Sequence, residues 1–211
     1  EKKTELNLKL LELETLFDIS VAISSLLDIN DLAEDVLWRS VGILNASKGL
    51  FLRQRKKTPI LETTSTFNWG QDKPLLSKNL KVFKDIQLNG QGVVFSKEKE
   101  GDLQKKLKEE NLIVTPLLAK NKTLGYMILC DKESRKGVEA FNQLDLGLLT
   151  ALSNQAAVAM ENARLFKEIT KEKQFNESIL GSIATGVITI NTLGEIDSIN
   201  VAATKILNIK K

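Results

Sequence analysis

Apolar residues at Leu6, Leu10, Leu13 and Phe17 recur every three to four positions, and a second set runs Leu16, Ile19, Ile23 and Leu26. Both sets follow the helical period, so residues from about Thr4 to Leu27 are expected to form one helix. Two stripes imply two packing partners, one face on a domain and the other on a second chain. Asp28-Ile29-Asn30 breaks the pattern, and Asn30 or Asp31 is expected to cap a second helix running to about Leu44. Lys48–Arg53 and Ile60–Phe67 then read as two strands joined by a basic turn and Pro59, with Thr63, Thr64 and Thr66 favouring strand by β-branching. Between Asn68 and Gly92 the signals weaken. Trp69-Gly70 and Lys73-Pro74 break the chain, and Leu75–Phe83 is expected as a short helix. Gly92–Ser96 reads as a short strand, Asp102–Glu110 as a helix capped at Gly101 or Asp102, and Leu112–Ala119 with Thr123–Cys130 as a hairpin around Lys120-Asn121-Lys122. These elements define an α+β unit: an antiparallel sheet flanked by helices.

The stretch from Leu124 to Glu168 carries the most information. An apolar strand breaks at Asp131-Lys132, passes a charged turn and Phe141, and enters a helix that meets no stop signal. From Asn142 towards Ile183, positions 144, 148, 151, 155, 158, 162, 165, 169, 172, 176, 179 and 183 alternate four and three apart. Eight of these twelve are apolar, including Leu144, Leu148, Val158, Leu165 and Ile169, which is enough for a coiled-coil seam. Gln155, Asn162, Glu172 and Asn176 weaken the seam and are expected to fix its register. A sheet coupled to such an outgoing helix suits a sensor better than an enzyme. After Gly181 the period changes again. Gly186–Ile190 and Glu195–Ile199 read as strands around an Asn191–Gly194 turn, and Asn200 opens a helix through Leu207.

With 42% apolar and 27% charged residues and a net charge of +3, the chain has the composition of an ordinary globular protein. Its one dense basic run, Arg53 to Lys57, is read as a solvated hairpin turn, and no nucleic-acid partner is expected. No apolar run approaches the roughly 18–20 residues that span a bilayer, and no signal-peptide pattern is present, so no membrane contact is expected within these residues and a cytoplasmic location is. A chain that opens on Glu1 is expected to be a piece of a longer one. The single cysteine permits no internal disulfide, and Cys130 on an apolar strand is expected in the core. Histidine is absent. That removes histidine-ligated haem, Cys/His zinc sites and Ser-His or Cys-His nucleophiles. Gly90-Gln91-Gly92 is too short for a dinucleotide fingerprint. No catalytic residue, no metal and no covalent cofactor is therefore expected.

Several ordered pieces resemble the GAF domain family: Val114-Thr115-Pro116-Leu117, then Gly125, then Phe141, then Ala157-Val-Ala-Met-Glu-Asn-Ala-Arg-Leu165. The resemblance covers roughly Thr15 to Phe166. It implies a sheet with helices on both faces and a small-molecule pocket roofed by the variable middle segment. Phe67, Trp69, Phe83, Phe95, Ser96 and Thr115 are the candidates to line it, with ordinary core packing as the alternative for each. Cyclic-nucleotide-binding relatives carry Asn-Lys, a spacer and Phe-x-x-x-Asp-Glu. Here Asp131-Lys132, Phe141, Asp145 and Leu146 stand at those positions, so asparagine has become aspartate and glutamate leucine. Lys132 and Asp145 are expected to pair as an exposed structural clasp, with a cyclic nucleotide or another small ligand as the alternative use. The middle segment lacks the cysteine and histidine that bilin-binding relatives need. One branch of the family reduces methionine sulfoxide with reactive cysteines, a remote alternative here.

Ser182–Leu207 resembles the opening of a PAS domain, with Asn191 where that family usually has aspartate. The organisation expected is therefore a signalling helix over 1–14, a GAF domain over 15–166, a coiled-coil linker over 167–181 and an N-terminal PAS fragment over 182–211. The two resemblances together imply a regulatory module of a bacterial sensor histidine kinase, or of an adenylate or guanylate cyclase carrying GAF and PAS sensors. It is expected to act as a parallel homodimer. A dimerisation scaffold that binds no ligand is the competing reading.

Overall fold

The computed structural model describes residues 28–55, 57–70, 73–97, 101–120, 122–135 and 137–208. Leu6, Leu10, Leu13 and Phe17 lie outside the described residues, as does the helix expected over Thr4–Leu27. The chain divides into two units, Glu1–Ala163 and Arg164–Lys211.

In the first unit, helix α1 (Ile29–Leu44) leads into strand β1 (Ala46–Arg53) and its antiparallel neighbour β2 (Glu62–Phe67). Asp28 caps α1, one of its carboxylate oxygens accepting the Asn30 N–H at 2.7 Å, so the cap stands two to three residues before the expected Asn30 or Asp31. Helix α2 (Lys81–Asn89), strand β3 (Val93–Phe95) and helix α3 (Asp102–Leu107) follow. The long hairpin of β4 (Leu112–Ala119) and β5 (Lys122–Ser134) completes the centre, and the short strand β6 (Gly137–Glu139) pairs with the end of β5. The sheet runs β2-β1-β5-β4-β3, antiparallel throughout. Helix α4 (Gln143–Ser182) is continuous for 40 residues.

The helix expected at Leu75–Phe83 falls instead at Lys81–Asn89. Leu76 is buried from an extended segment, where Ile60 and Ser77 form an isolated bridge. The pairing of that segment with the β2 side outweighs the helical spacing of its leucines.

Two apolar layers sandwich the sheet. On one face Phe51, Ile113, Leu117, Met127 and Leu129 meet Leu32, Val36 and Leu37 of α1 and Leu149, Leu152, Ala156 and Met160 of α4. On the other face Leu50, Leu52, Leu112, Val114, Tyr126, Ile128 and Cys130 meet Phe83 and Ile86 of α2 and Leu103 and Leu107 of α3. The strict two-residue alternation of strand side chains assigns each residue to one layer.

That alternation is broken at Asp131 on β5 and, on the paired β1, between Ala46 and Lys48, which face different layers although they lie two residues apart. The φ of Asp131, 46°, is left-handed, a conformation that Asn and Asp tolerate better than other side chains. Cys130, opposite Lys48, points to the α2/α3 face. Lys132, opposite Ala46 of the other layer, points to the α1/α4 face.

In the second unit, strands β7 (Ile188–Ile190) and β8 (Ile196–Ile199) form a hairpin closed by the Asn191–Gly194 turn, and Asn200 caps helix α5 (Val201–Ile206). Asn191 Oδ1 accepts the Leu193 and Glu195 N–H groups, as turn asparagines do. Asn200 uses its whole amide. Oδ1 accepts from the Val187 and Ala203 N–H groups, and Nδ2 donates to the Leu180 and Thr185 carbonyls. Among the described residues no helix is long and apolar enough to cross a membrane.

Candidate functional site

The six pocket residues read from the sequence do not share one face. Phe83 is buried under α2, and Trp69 and Phe95 are half-buried against the same layer. Ser96 contributes its backbone carbonyl, which accepts from Gln104 Nε2. Phe67 and Thr115 belong to the opposite layer and are corrected here. Phe67 pairs with Gly49, whose outward direction meets Leu37, Val41 and Leu129, so its ring lies on α1 and packs edge-on to Trp38 at 4.8 Å. Thr115 alternates with Ile113 and Leu117 and hydrogen-bonds Ser153 of α4, Oγ to Oγ, at 2.6 Å.

The centre of the α2/α3 layer is filled. Phe83 and Tyr126 pack ring against ring at 4.4 Å, and the Tyr126 hydroxyl donates to the Phe83 carbonyl at 3.2 Å. Burial pushes the Tyr126 phenol up to about 12. The unfolded phenol titrates near 10, so the folded state holds the proton more tightly. That preference stabilises the fold fully below about pH 10 and is lost as the pH climbs through about 12, an effect on the order of 2–3 kcal/mol. Tyr126 is the only tyrosine in the chain, so tyrosinate absorbance reads it directly. A native titration midpoint near 10 would overturn the assignment, and Tyr126→Phe is expected to flatten this part of the alkaline limb.

Open space remains at the edges of the layer. A cleft of about 400 Å³ lies between α2 and α3, lined by Lys81, Val82, Asp85, Phe95 and Asp102 among others. A second, of about 540 Å³, is lined by Lys97, Gln104, Lys105, Lys108, Glu109 and Glu110. Beside this second cleft stands a charged cluster with no counterpart among the expected site residues. Lys48 forms an ion pair with Glu109, just past α3, and its ammonium lies 5.3 Å from the centroid of the Trp69 ring. Asp131 accepts the Asn111 backbone N–H at 3.1 Å and Nδ2 at 3.2 Å.

The hydrogen bond to Glu109 raises Lys48, as an ion pair should. Glu109 moves the opposite way from an ordinary paired carboxylate. Burial, with Asp131 adding to it, raises it more than Lys48 lowers it. Beneath them Cys130 is fully buried, and burial first, then Glu109 and Asp131, hold its thiol protonated. The Lys48–Glu109 contact spans 61 residues of sequence. The one sequence signal for it was a lysine in phase with Leu50 and Leu52 on an otherwise apolar strand face.

The clasp residues sit on the other face. Lys132 Nζ reaches both Asp145 oxygens, at 2.8 and 2.9 Å. Asp145 also accepts the Asn142 N–H at 2.8 Å, while Asn142 Oδ1 accepts from the Leu144 and Asp145 N–H groups, a reciprocal cap on α4. Phe141 is buried in the α1/α4 layer. Asp145 is only 5% exposed, which corrects the expectation of an exposed pair. In the basic turn, Arg53 and Arg55 both pair with Glu62. Among the described residues no group of three or more Cys, Asp or Glu side chains is placed to hold a metal ion.

An antiparallel sheet ordered β2-β1-β5-β4-β3, with a helical layer on each face and a long helix leaving one of them, is a GAF-like fold. The sequence model of the GAF domain matches residues 28–162, and the chain belongs to that family, whose members are sensory and regulatory domains of signalling proteins. No curated protein sequence matches the chain. Among solved structures it is similar to the GAF domain of a protein assigned as a sensor histidine kinase from Pseudomonas syringae pv. tomato, at 15% identity and a TM-score of 0.56, over 82% of this chain and 99% of that one. It is similar to the GAF domain of an Acinetobacter phosphoenolpyruvate-protein phosphotransferase, at 11% identity and a TM-score of 0.60, over 74% and 95%. It is also similar to a free methionine-R-sulfoxide reductase from Neisseria meningitidis solved with its substrate, at 14% identity and a TM-score of 0.61, over 73% and 90%. At these identities the likeness is one of fold.

Proposed function

We propose that this GAF domain is the regulatory input of a signalling protein, that it pairs as a parallel homodimer, and that it passes its state along α4 to a downstream PAS domain and a kinase or cyclase output. The observation that carries the reading is the division of α4 into two faces. Asp145, Leu149, Leu152, Ala156 and Met160 are buried against the domain. The seam residues Leu144, Val158 and Ile169 are 80%, 54% and 65% exposed, and Leu148 and Leu165 are half-buried. Apolar area left in water costs about 25 cal/mol per Å², so such a stripe favours a second copy. The test is light scattering at tens of micromolar. A dimer is expected for the parent chain and a monomer for the double variant Leu165→Lys, Ile169→Lys. A monomeric parent chain would sink the reading.

The filled centre of the α2/α3 layer favours the second reading, a dimerisation scaffold without a ligand. Native mass spectrometry separates the two by showing bound or empty protein. The geometry supports a non-catalytic role over a sulfoxide reductase, because that chemistry needs a reactive thiolate and Cys130 is buried and held protonated. Lys132 and Asp145 satisfy each other, which supports a structural clasp over nucleotide recognition.

A further inference from the structure

Within the second unit the seam of α4 reads Leu165, Ile169, Glu172, Asn176 and Ile179. Two polar side chains thus stand together between apolar flanks. Glu172 and Asn176 are exposed, and neither has a hydrogen bond or ion pair among the described residues. Beside them Lys173 is loosely held. Its side chain is 76% exposed and lies 3.9 Å from Glu177, four residues on. Ile169 and Ile179, on either side, are exposed as well. A lone carboxylate in the middle of an apolar stripe is a poor choice for any face that is to be buried, unless the partner answers its charge.

The heptad shows what answers it. Leu165, Glu172 and Ile179 take d positions, Ile169 and Asn176 a positions, Lys173 an e position, and Glu168 and Phe175 g positions. In a parallel pair held in register, a d side chain enters a hole formed by four residues of the facing helix. For Glu172 the hole is Ile169, Glu172, Lys173 and Asn176 of the partner subunit. The carboxylate therefore meets an ammonium and an amide donor there. Lys173 in turn lies between Glu172 and the g-position carboxylate, Glu168 of the partner subunit. The layer contains two Glu172 carboxylates and two Lys173 ammoniums, so these charges cancel.

Other pairings leave the same residues worse off. A slip of one heptad sets Glu172 against Leu165 or Ile179, a charge with no partner in an apolar layer. An antiparallel register that joins Glu172 to Asn176 brings each e position against its like, so Lys173 faces Lys173 of the partner subunit. Polar seam residues cost stability and return specificity of partner and register.

We propose that the partner fitting this face is a second copy of the same chain, and that an interchain layer of Glu172, Lys173 and Asn176 holds the two helices parallel and in register. This inference rests on the dimeric sensor reading and adds the residues that choose the partner and set the register.

The experiment measures the dimer dissociation constant of the 211-residue chain by analytical ultracentrifugation. Glu172→Lys gathers only positive charge in the layer, and Lys173→Glu only negative. Each alone is expected to weaken the dimer by about tenfold or more. An equimolar mixture of the two variants restores both attractive contacts and is expected to pair within about threefold of the parent strength. Both substitutions are at exposed helix positions, and recovery in the mixture shows that each variant folds. In parallel, Ile179→Cys is expected to close a disulfide between copies on oxidation, whereas Lys167→Cys, at an f position on the outer face, is not. Cys130 is buried, out of the oxidant's reach. Single variants that dimerise as tightly as the parent, or a mixture no tighter than its components, overturn the layer and leave the dimeric reading standing. Failure of Ile179→Cys to cross-link, or cross-linking at Lys167→Cys to the same extent, overturns the register. A monomeric parent chain overturns the dimeric reading and the layer with it.

Discussion

Gly125→Ala is expected to prevent the sheet from forming. A Cβ built at Gly125 lies 1.9 Å from the Leu52 carbonyl oxygen and 3.1 Å from the Arg53 Cα, both backbone atoms of β1. No side chain can swing aside, so the strands themselves must part. Gly125 pairs with Arg53 on one side and Leu117 on the other, at the centre of the sheet. Overpacking against side chains costs typically 1–3 kcal/mol. Against backbone on a central strand we expect more than about 4 kcal/mol, a loss comparable with the whole stability of a domain. Chemical denaturation should find no cooperative transition, or the protein should be insoluble. Gly147→Ala is the control. It is a helical glycine with nothing within 4 Å of the added methyl, and it is expected to gain about 0.5–1 kcal/mol. A Gly125→Ala variant that unfolds within about 1 kcal/mol of the parent would contradict the close approach of β5 to β1.

The second large effect concerns Asp145. Removing one partner of a buried pair costs about 3–5 kcal/mol, because the other charge is left behind. Lys132 keeps 23% of its side chain exposed, which lowers that figure. Adding back the lost cap on Asn142 brings Asp145→Ala to about 3 kcal/mol. Asp145→Asn keeps a cap acceptor and loses only the charge, so about half that loss is expected. Urea unfolding of the two variants separates the contributions. Equal losses for both would place all of the energy in the ion pair, and a change below about 0.5 kcal/mol for Asp145→Ala would mean the clasp is solvated after all.

The exposed pair expected from the sequence would have been worth only about 0–1 kcal/mol. The residues were legible in the spacing of Lys132, Phe141 and Asp145, but their burial was not. Burial depends on the sheet register that sets Lys132 opposite Ala46 and on the packing of α4 into the same layer, which local spacing does not give. The same division runs through the rest of the chain. The β4–β5 hairpin and the start of α4 were readable because their signals are local: apolar runs, a turn, and Phe141 followed by Asp145 at the helix start. The face on which a strand residue lands was not readable, because it needs the register. Phe67 follows Gly49 across β1, and Thr115 follows Ile113, so both left the expected pocket. Lys48, Glu109 and Asp131 are brought together only by the β1–β5 pairing and the end of α3, and no local pattern marks them as a group.

In the second unit, the Asn200 amide joins the last turn of α4, the Thr185 carbonyl, the entry to the hairpin and the first turn of α5. Helix ends normally leave their final carbonyls to water. Here the Leu180 carbonyl is gripped by a side chain that belongs to what comes after the helix. Within the second unit one side chain thus pins the hairpin and α5 to the last turn of α4, as a key is held on its shaft. Asn200→Asp would keep the two acceptors and lose both donors, disengaging the shaft while leaving the key intact.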